Sequence, residues 1–223
     1  DTGQAGIDGL KVTFELMGPE KRLEQPVSRV LTANCPFTYG DSDCGILTNA
    51  LAWVTLADYA VGDIVKRATG TGIYWFKATV AGTSDAAEPT WPTTLGGTVV
   101  DGTVTWTAFR ARRLVGTVTS SADRRTVVAT GITVASDYFG EGFITFLTGA
   151  NAGDRRRLKS DTGSGTLTLQ LAAFDNIAVG DTFEVLAGCR KRRTQDCIGK
   201  HDNKANSRTR TLRFGGFDFL ADE

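Results

Sequence analysis

The sequence holds one histidine, one methionine and four cysteines in 223 residues. A single imidazole, His201, excludes sites that need paired histidines, such as the His-Glu-x-x-His zinc motif. In a basic, polar stretch a lone histidine is expected to be a solvated side chain rather than a general base. There is no Gly-x-Ser-x-Gly elbow, P-loop or dinucleotide-binding glycine fingerprint. Asp41 and Asp43 are separated from Glu88 by a Trp-rich stretch, so spacing assigns no carboxylate pair for glycoside cleavage. The inventory argues against an enzyme. Net charge is also lacking, with 25 basic against 25 acidic residues, so no whole-protein field draws the chain to nucleic acid or to an anionic membrane. No apolar run approaches the roughly 20 residues that span a bilayer. No secretory leader is recognisable. The chain opens at Asp1 without an initiator Met, which is the expectation for a fragment of a longer protein.

What remains is a chain that is 41% hydrophobic, long enough to bury a core, with 26 glycines and few helix signals. Residues 1–34 contain one strand-like alternation, Val12, Phe14 and Leu16 against Lys11, Thr13 and Glu15, and form a strand and linker, the expected end of a domain that is missing. Residues 35–50 carry the first cysteine pair. Residues 51–108 hold all four tryptophans, with strand-like runs at 73–79 and 103–107 divided by turn residues, and read as an inserted β module. Residues 109–188 show six short alternating runs, at 115–118, 126–129, 142–147, 155–159, 166–171 and 182–186. Six strands at this spacing imply a small barrel or sandwich. The tetrapeptide Ala-Val-Gly-Asp recurs at 60–63 and 178–181, a shared turn too short to be a structural repeat. Residues 189–223 bear the second cysteine pair and a basic tail, with nine Lys/Arg against two Asp between 186 and 213. The fold class is therefore mainly β, a small barrel or sandwich with an inserted Trp-rich module and an irregular cysteine-containing tail.

Cys35 and Cys44 form one loop-like pair and Cys189 and Cys197 another. Three chemistries fit four such residues. Disulfides need an oxidising compartment, and nothing indicates export. Structural zinc prefers ligand gaps of two to four residues, shorter than those here. An iron–sulfur cluster takes four thiolates from separated loops, and cations such as the run Arg190–Arg193 would stabilise its negative charge. Four buried cysteines without a ligand, and a merely solvated basic run, are the plain alternatives. Nucleic acid ranks below these, because no aromatics interleave with the basic run to stack on bases.

The motifs around the first pair (Leu31 to Gly45), Thr148-Gly149-Ala150-Asn151-Ala152-Gly153, Gly188-Cys189 through Cys197, and Phe214-Gly215-Gly216-Phe217 occur here in a fixed order. In that order they resemble the tail-tip or baseplate hub proteins of long-tailed bacteriophages, the lambda minor tail protein L type, and relatives in gene transfer agents. The resemblance covers roughly residues 23–50 and 110–219. It implies a structural, non-enzymatic virion protein at the tail tip, assembled in the bacterial host cytoplasm. It further implies a homotrimer contacting other tail-tip subunits. By the same resemblance a [4Fe–4S] cluster would sit on Cys35, Cys44, Cys189 and Cys197; zinc stays the alternative that the residues themselves leave open. In the inserted module Ala52-Trp53, Tyr59-Ala60-Val61-Gly62-Asp63-Ile64-Val65, Tyr74-Trp75-Phe76-Lys77-Ala78 and Glu88-Pro89-Thr90-Trp91 are similar to the small chitin-binding type of carbohydrate-binding module. That similarity implies host surface glycan as a partner, stacked on Tyr59, Trp75 and Trp91, against the alternative that these rings are core.

Overall fold

The computed structural model describes residues 5–8, 11–14, 35–70 and 72–201, the first two segments as backbone only. The chain divides into two compact units, residues 1–45 together with 191–223, and residues 46–190.

In the first unit, strand β1 (Ala5–Asp8) pairs antiparallel with β2 (Lys11–Phe14). Lys11–Phe14 of that alternation form a strand, residues 15 and 16 lying outside the described residues, and it has an upstream partner that its sequence did not announce. The remaining described elements of this unit are the first cysteine loop and a π-helix, Arg193–Lys200.

The second unit begins with β3 (Leu51–Ala52), β4 (Asp58–Tyr59), β5 (Ile64–Lys66), β6 (Tyr74–Val80), β7 (Gly82–Thr83), β8 (Thr98–Asp101) and β9 (Val104–Arg110). Five of these form a sheet in the order β3-β5-β6-β9-β8, and β4 pairs with β7. Six further strands follow: β10 (Arg113–Ser120), β11 (Thr126–Thr130), β12 (Phe143–Phe146), β13 (Arg155–Asp161), β14 (Thr166–Leu169) and β15 (Thr182–Leu186). They close into a barrel in the order β10-β11-β14-β13-β12-β15, with β15 returning to β10 through the register Leu114↔Val185.

The barrel closes because its strands alternate with period two, sending one face inward. Leu114, Val118, Val127, Ala129, Ile144, Phe146, Leu167, Leu169, Phe183 and Val185 all lie at 6% exposure or less. Closure leaves these strands no free edge. All six runs singled out above are strands of this barrel, and the fold is mainly β as expected. The loop at 161–165 is the β13–β14 hairpin; the buried Asp161 carboxylate accepts the N–H of Gly163 at 3.0 Å and that of Phe139 at 2.7 Å.

The recurring Ala-Val-Gly-Asp segments adopt one geometry. In each, the aspartate amide donates to the alanine carbonyl (3.1 and 3.2 Å) and the aspartate carboxylate accepts the alanine N–H (2.8 and 3.1 Å). Gly62 and Gly180 both have positive φ, 102° and 91°, which only glycine adopts without strain. Each glycine then bonds a neighbouring strand, Gly62 N–H to Ala78 O and Gly180 N–H to Val118 O, both at 2.9 Å. The tetrapeptide is a turn that docks on a strand.

The five-stranded sheet has a core of its own, made of Trp53, Val65, Phe76, Ala78, Trp91, Val104, Trp106 and Ala108. Its polar centre is Asp101, 2% exposed, which accepts the indole N–H groups of Trp53 (2.8 Å) and Trp106 (3.0 Å) and the amide of Asp85 (2.9 Å). Three donors satisfy a carboxylate that burial would otherwise penalise.

Candidate functional site

The first cysteine loop is built on Asp41. Its carboxylate accepts the N–H of Thr38 at 2.8 Å and that of Cys44 at 2.6 Å, and its carbonyl accepts the Gly45 amide at 2.8 Å. A short aspartate side chain that turns back on nearby amides is ordinary turn chemistry, and here it fixes the backbone that presents Cys44. Cys35 and Cys44 are 9% and 6% exposed. Cys35 N–H donates to the carbonyl of Lys191 at 3.1 Å, so the two cysteine-bearing segments, 156 residues apart, are hydrogen-bonded directly.

The second segment holds Cys197 inside the π-helix. Lys191 has φ 67° and Arg192 is extended, after which the Asp196 and Cys197 amides both donate to the Arg192 carbonyl, at 3.1 and 3.0 Å. π-turns of this kind are rare and concentrate at functional positions. Asp196 holds the turn from the other side. Its carboxylate accepts the Arg192 amide (3.1 Å) and Nε (3.0 Å). Burial acts to raise the Asp196 pKa, but the hydrogen bonds and positive charge of Arg192, with Lys200, outweigh it and hold the group below its ordinary value. This carboxylate was missed in the sequence because it stands alone in a basic run.

The helix ends at His201, which is 1% exposed. The expectation of a solvated histidine is therefore wrong. The ring lies 4.9 Å from that of Tyr39, with Nδ1 and the Tyr39 hydroxyl 3.4 Å apart. Tyr39 is 162 residues away, so no local pattern could have signalled this pairing.

Cys189 belongs to the other unit and is half-buried. It leaves the barrel through Gly188, where a Cβ would lie 1.8 Å from the Gly140 carbonyl oxygen and 2.3 Å from the Gly142 nitrogen. Only glycine passes that point. The cationic run is also less free than its composition suggests, since Arg190 bonds Asp137 at 2.9 Å and Arg192 bonds Asp196.

No disulfide joins any of the four cysteines. Three thiols, Cys35, Cys44 and Cys197, are buried in one unit, and Cys189 is half-buried in the other. Among the described residues no three His, Cys, Asp or Glu side chains are already gathered as metal ligands.

The three rings singled out for sugar stacking, Tyr59, Trp75 and Trp91, differ in their exposure. Trp75 is 3% and Trp91 6% exposed. Trp91 stacks on Phe76 at 4.0 Å and donates its indole N–H to Glu88 at 2.7 Å. Trp75 packs edge-on to Phe109 and belongs to the barrel core. Tyr59 is half-buried, edge-on to Trp106 at 4.8 Å, with its hydroxyl on the Val54 backbone. Trp75 and Trp91 are core, and Tyr59 packs against the Trp-lined core. The 202–206 and 214–217 segments, and most of the basic tail, lie outside the described residues.

Fold and site together define a mainly β protein built on a closed six-stranded barrel in one unit, with three of its four thiols in the other. A family described as phage conserved hypothetical protein BR0599 matches residues 137–223, a stretch that includes Cys189 and Cys197. The whole fold is similar to a chain of the virion of a native gene transfer agent particle, at 19% identity and a TM-score of 0.50 over 99% of this chain. The chain spans about half (54%) of that solved chain's length. No curated protein matches the chain.

Proposed function

We propose that this chain is a structural, non-enzymatic component of a phage-like virion, acting at the tail tip as a hub subunit. In this role it assembles as a homotrimer with other tail-tip subunits. The observation that carries the proposal is the likeness of nearly the entire chain, both units included, to a virion chain. The phage family match over the last four barrel strands and the tail supports it independently.

The same proposal assigns Cys35, Cys44, Cys189 and Cys197 as ligands of a [4Fe–4S] cluster, with zinc as the alternative occupant. A bound cluster supplies a covalent cross-link between segments that are distant in sequence, and linkage of binding to folding makes such a cross-link worth several kcal/mol or more. The chain's own residues prepare for it. Asp41 sets the Cys44 backbone, Arg192 and Asp196 set that of Cys197, and the Cys35–Lys191 hydrogen bond already joins the two segments.

Iron and acid-labile sulfide analysis of anaerobically purified protein tests the assignment. About four of each per chain is the expected result for a four-thiolate cubane. Zinc at about one per chain selects the alternative, and protein with neither metal removes the ligand role. Electron microscopy of particles carrying a tagged chain tests the position, and label along the tail or on the head would contradict the hub role.

A further inference from the structure

A cleft of about 240 Å³ opens in the second unit between the end of β5 and the outer face of the barrel. Lys66, Arg67, Tyr74, Arg113 and Glu184 line it. Its charge is unbalanced. Arg113 is paired with Glu184, which cancels one cation, while Lys66 and Arg67 form no salt bridge among the described residues. The Glu88 carboxylate, on a neighbouring loop, keeps its charge but is turned to neutral donors. Glu88 accepts the Ala68 amide at 2.7 Å, the Thr69 hydroxyl at 2.8 Å and the Trp91 indole N–H, and so fixes the backbone just after Arg67.

The decisive feature is Arg67 Nε. It is buried without a hydrogen-bond partner, and it is the sole such side-chain nitrogen or oxygen among the described residues. Gly72 lies over it, where even a Cβ would be 3.4 Å from Nε. A buried guanidinium N–H lacking an acceptor is uncommon in a folded protein and calls for an explanation. The chemistry that completes it is an oxyanion, because the planar guanidinium matches carboxylate and phosphate oxygens in pairs. Lys66 adds a second charge beside it, and the half-buried Tyr74 ring adds an amphipathic wall. The volume is below the roughly 300–1,000 Å³ of pockets for drug-sized ligands, which restricts the occupant to something small.

We propose that this cleft binds an oxyanion, carboxylate or phosphate, carried on a polar molecule of about monosaccharide size. The site is distinct from the cysteines and independent of the cluster assignment. It also differs from a stacking platform, since recognition falls on Arg67 and Lys66 rather than on tryptophan faces.

Calorimetric titration of the whole protein at low salt with glucuronate, glucose 6-phosphate and neutral glucose tests the proposal. Binding of either charged sugar, without comparable binding of glucose, is expected, and the tighter of the two identifies the oxyanion. Arg67→Lys keeps the charge and loses the fork, and should weaken that binding by about tenfold. Lys66→Gln, at an exposed position, should weaken it less and reduce its salt dependence. Equal binding of glucose, no binding of either charged sugar, or an unchanged affinity in Arg67→Lys with native thermal stability would overturn it.

Discussion

The barrel and the described residues of the cysteine-bearing unit show different kinds of contact. In the barrel unit, twenty buried side chains form one continuous apolar cluster, and its strands are joined edge to edge with no gap. Among the described residues of the other unit, the buried apolar side chains are Cys35, Cys44 and Cys197 alone, accompanied by the buried polar Asp196 and His201. One region is stabilised by non-directional burial. The described residues of the other show directional contacts, among them Asp41 on its loop amides, Arg192 on Asp196 and Tyr39 against His201. Regions of the second kind open locally at lower cost, unless something further ties their thiols together.

The largest effect should come from the barrel. Phe183→Ala, at a position with 0% exposure, should destabilise the protein by about 3–5 kcal/mol in urea denaturation, as a lost transfer energy plus a cavity. The Trp-lined sheet comes next. Asp101→Ala strands two buried indole N–H groups and should cost about 3 kcal/mol, read as a lowered midpoint with tryptophan fluorescence as the probe. The cysteine unit should respond on its own. Asp196→Ala should cost about 1–2 kcal/mol, confined to amides near 192–201 in hydrogen exchange and leaving the barrel strands protected. Its pH dependence has a definite sign. Because the native pKa of Asp196 is depressed below 3.8, its contribution is complete above that value and is lost as pH falls through the lower native pKa. Exchange at 192–201 should therefore accelerate, relative to the barrel, only in strong acid. The smallest effect belongs to Arg190→Gln, which breaks a half-exposed ion pair with Asp137 and should change stability by under about 1 kcal/mol.

The same contrast explains what was legible in the sequence. The six barrel strands were readable because alternation such as Leu114, Gly116, Val118 is imposed by the inward face itself, and the Ala-Val-Gly-Asp turn because its hydrogen bonds are local. The tryptophans were visible but ambiguous, since a ring that stacks on sugar and a ring that fills a small core carry the same letter. Only the observed packing of Trp91 on Phe76, and of Trp75 in the barrel cluster, separates the two. The π-helix was not legible. It rests on Arg192 and Asp196 rather than on an apolar stripe, and the burial of His201 depends on a tyrosine near the other end of the chain.

Hydrogen exchange tests whether sulfur ligation orders the cysteine segments while the barrel stands on its own packing. Exchange would be followed on the whole chain before and after anaerobic reconstitution with iron and sulfide. The account predicts slowed exchange at residues 35–45 and 191–201, with the barrel strands between 113 and 186 unchanged. Identical exchange in the cysteine segments under both conditions would contradict it.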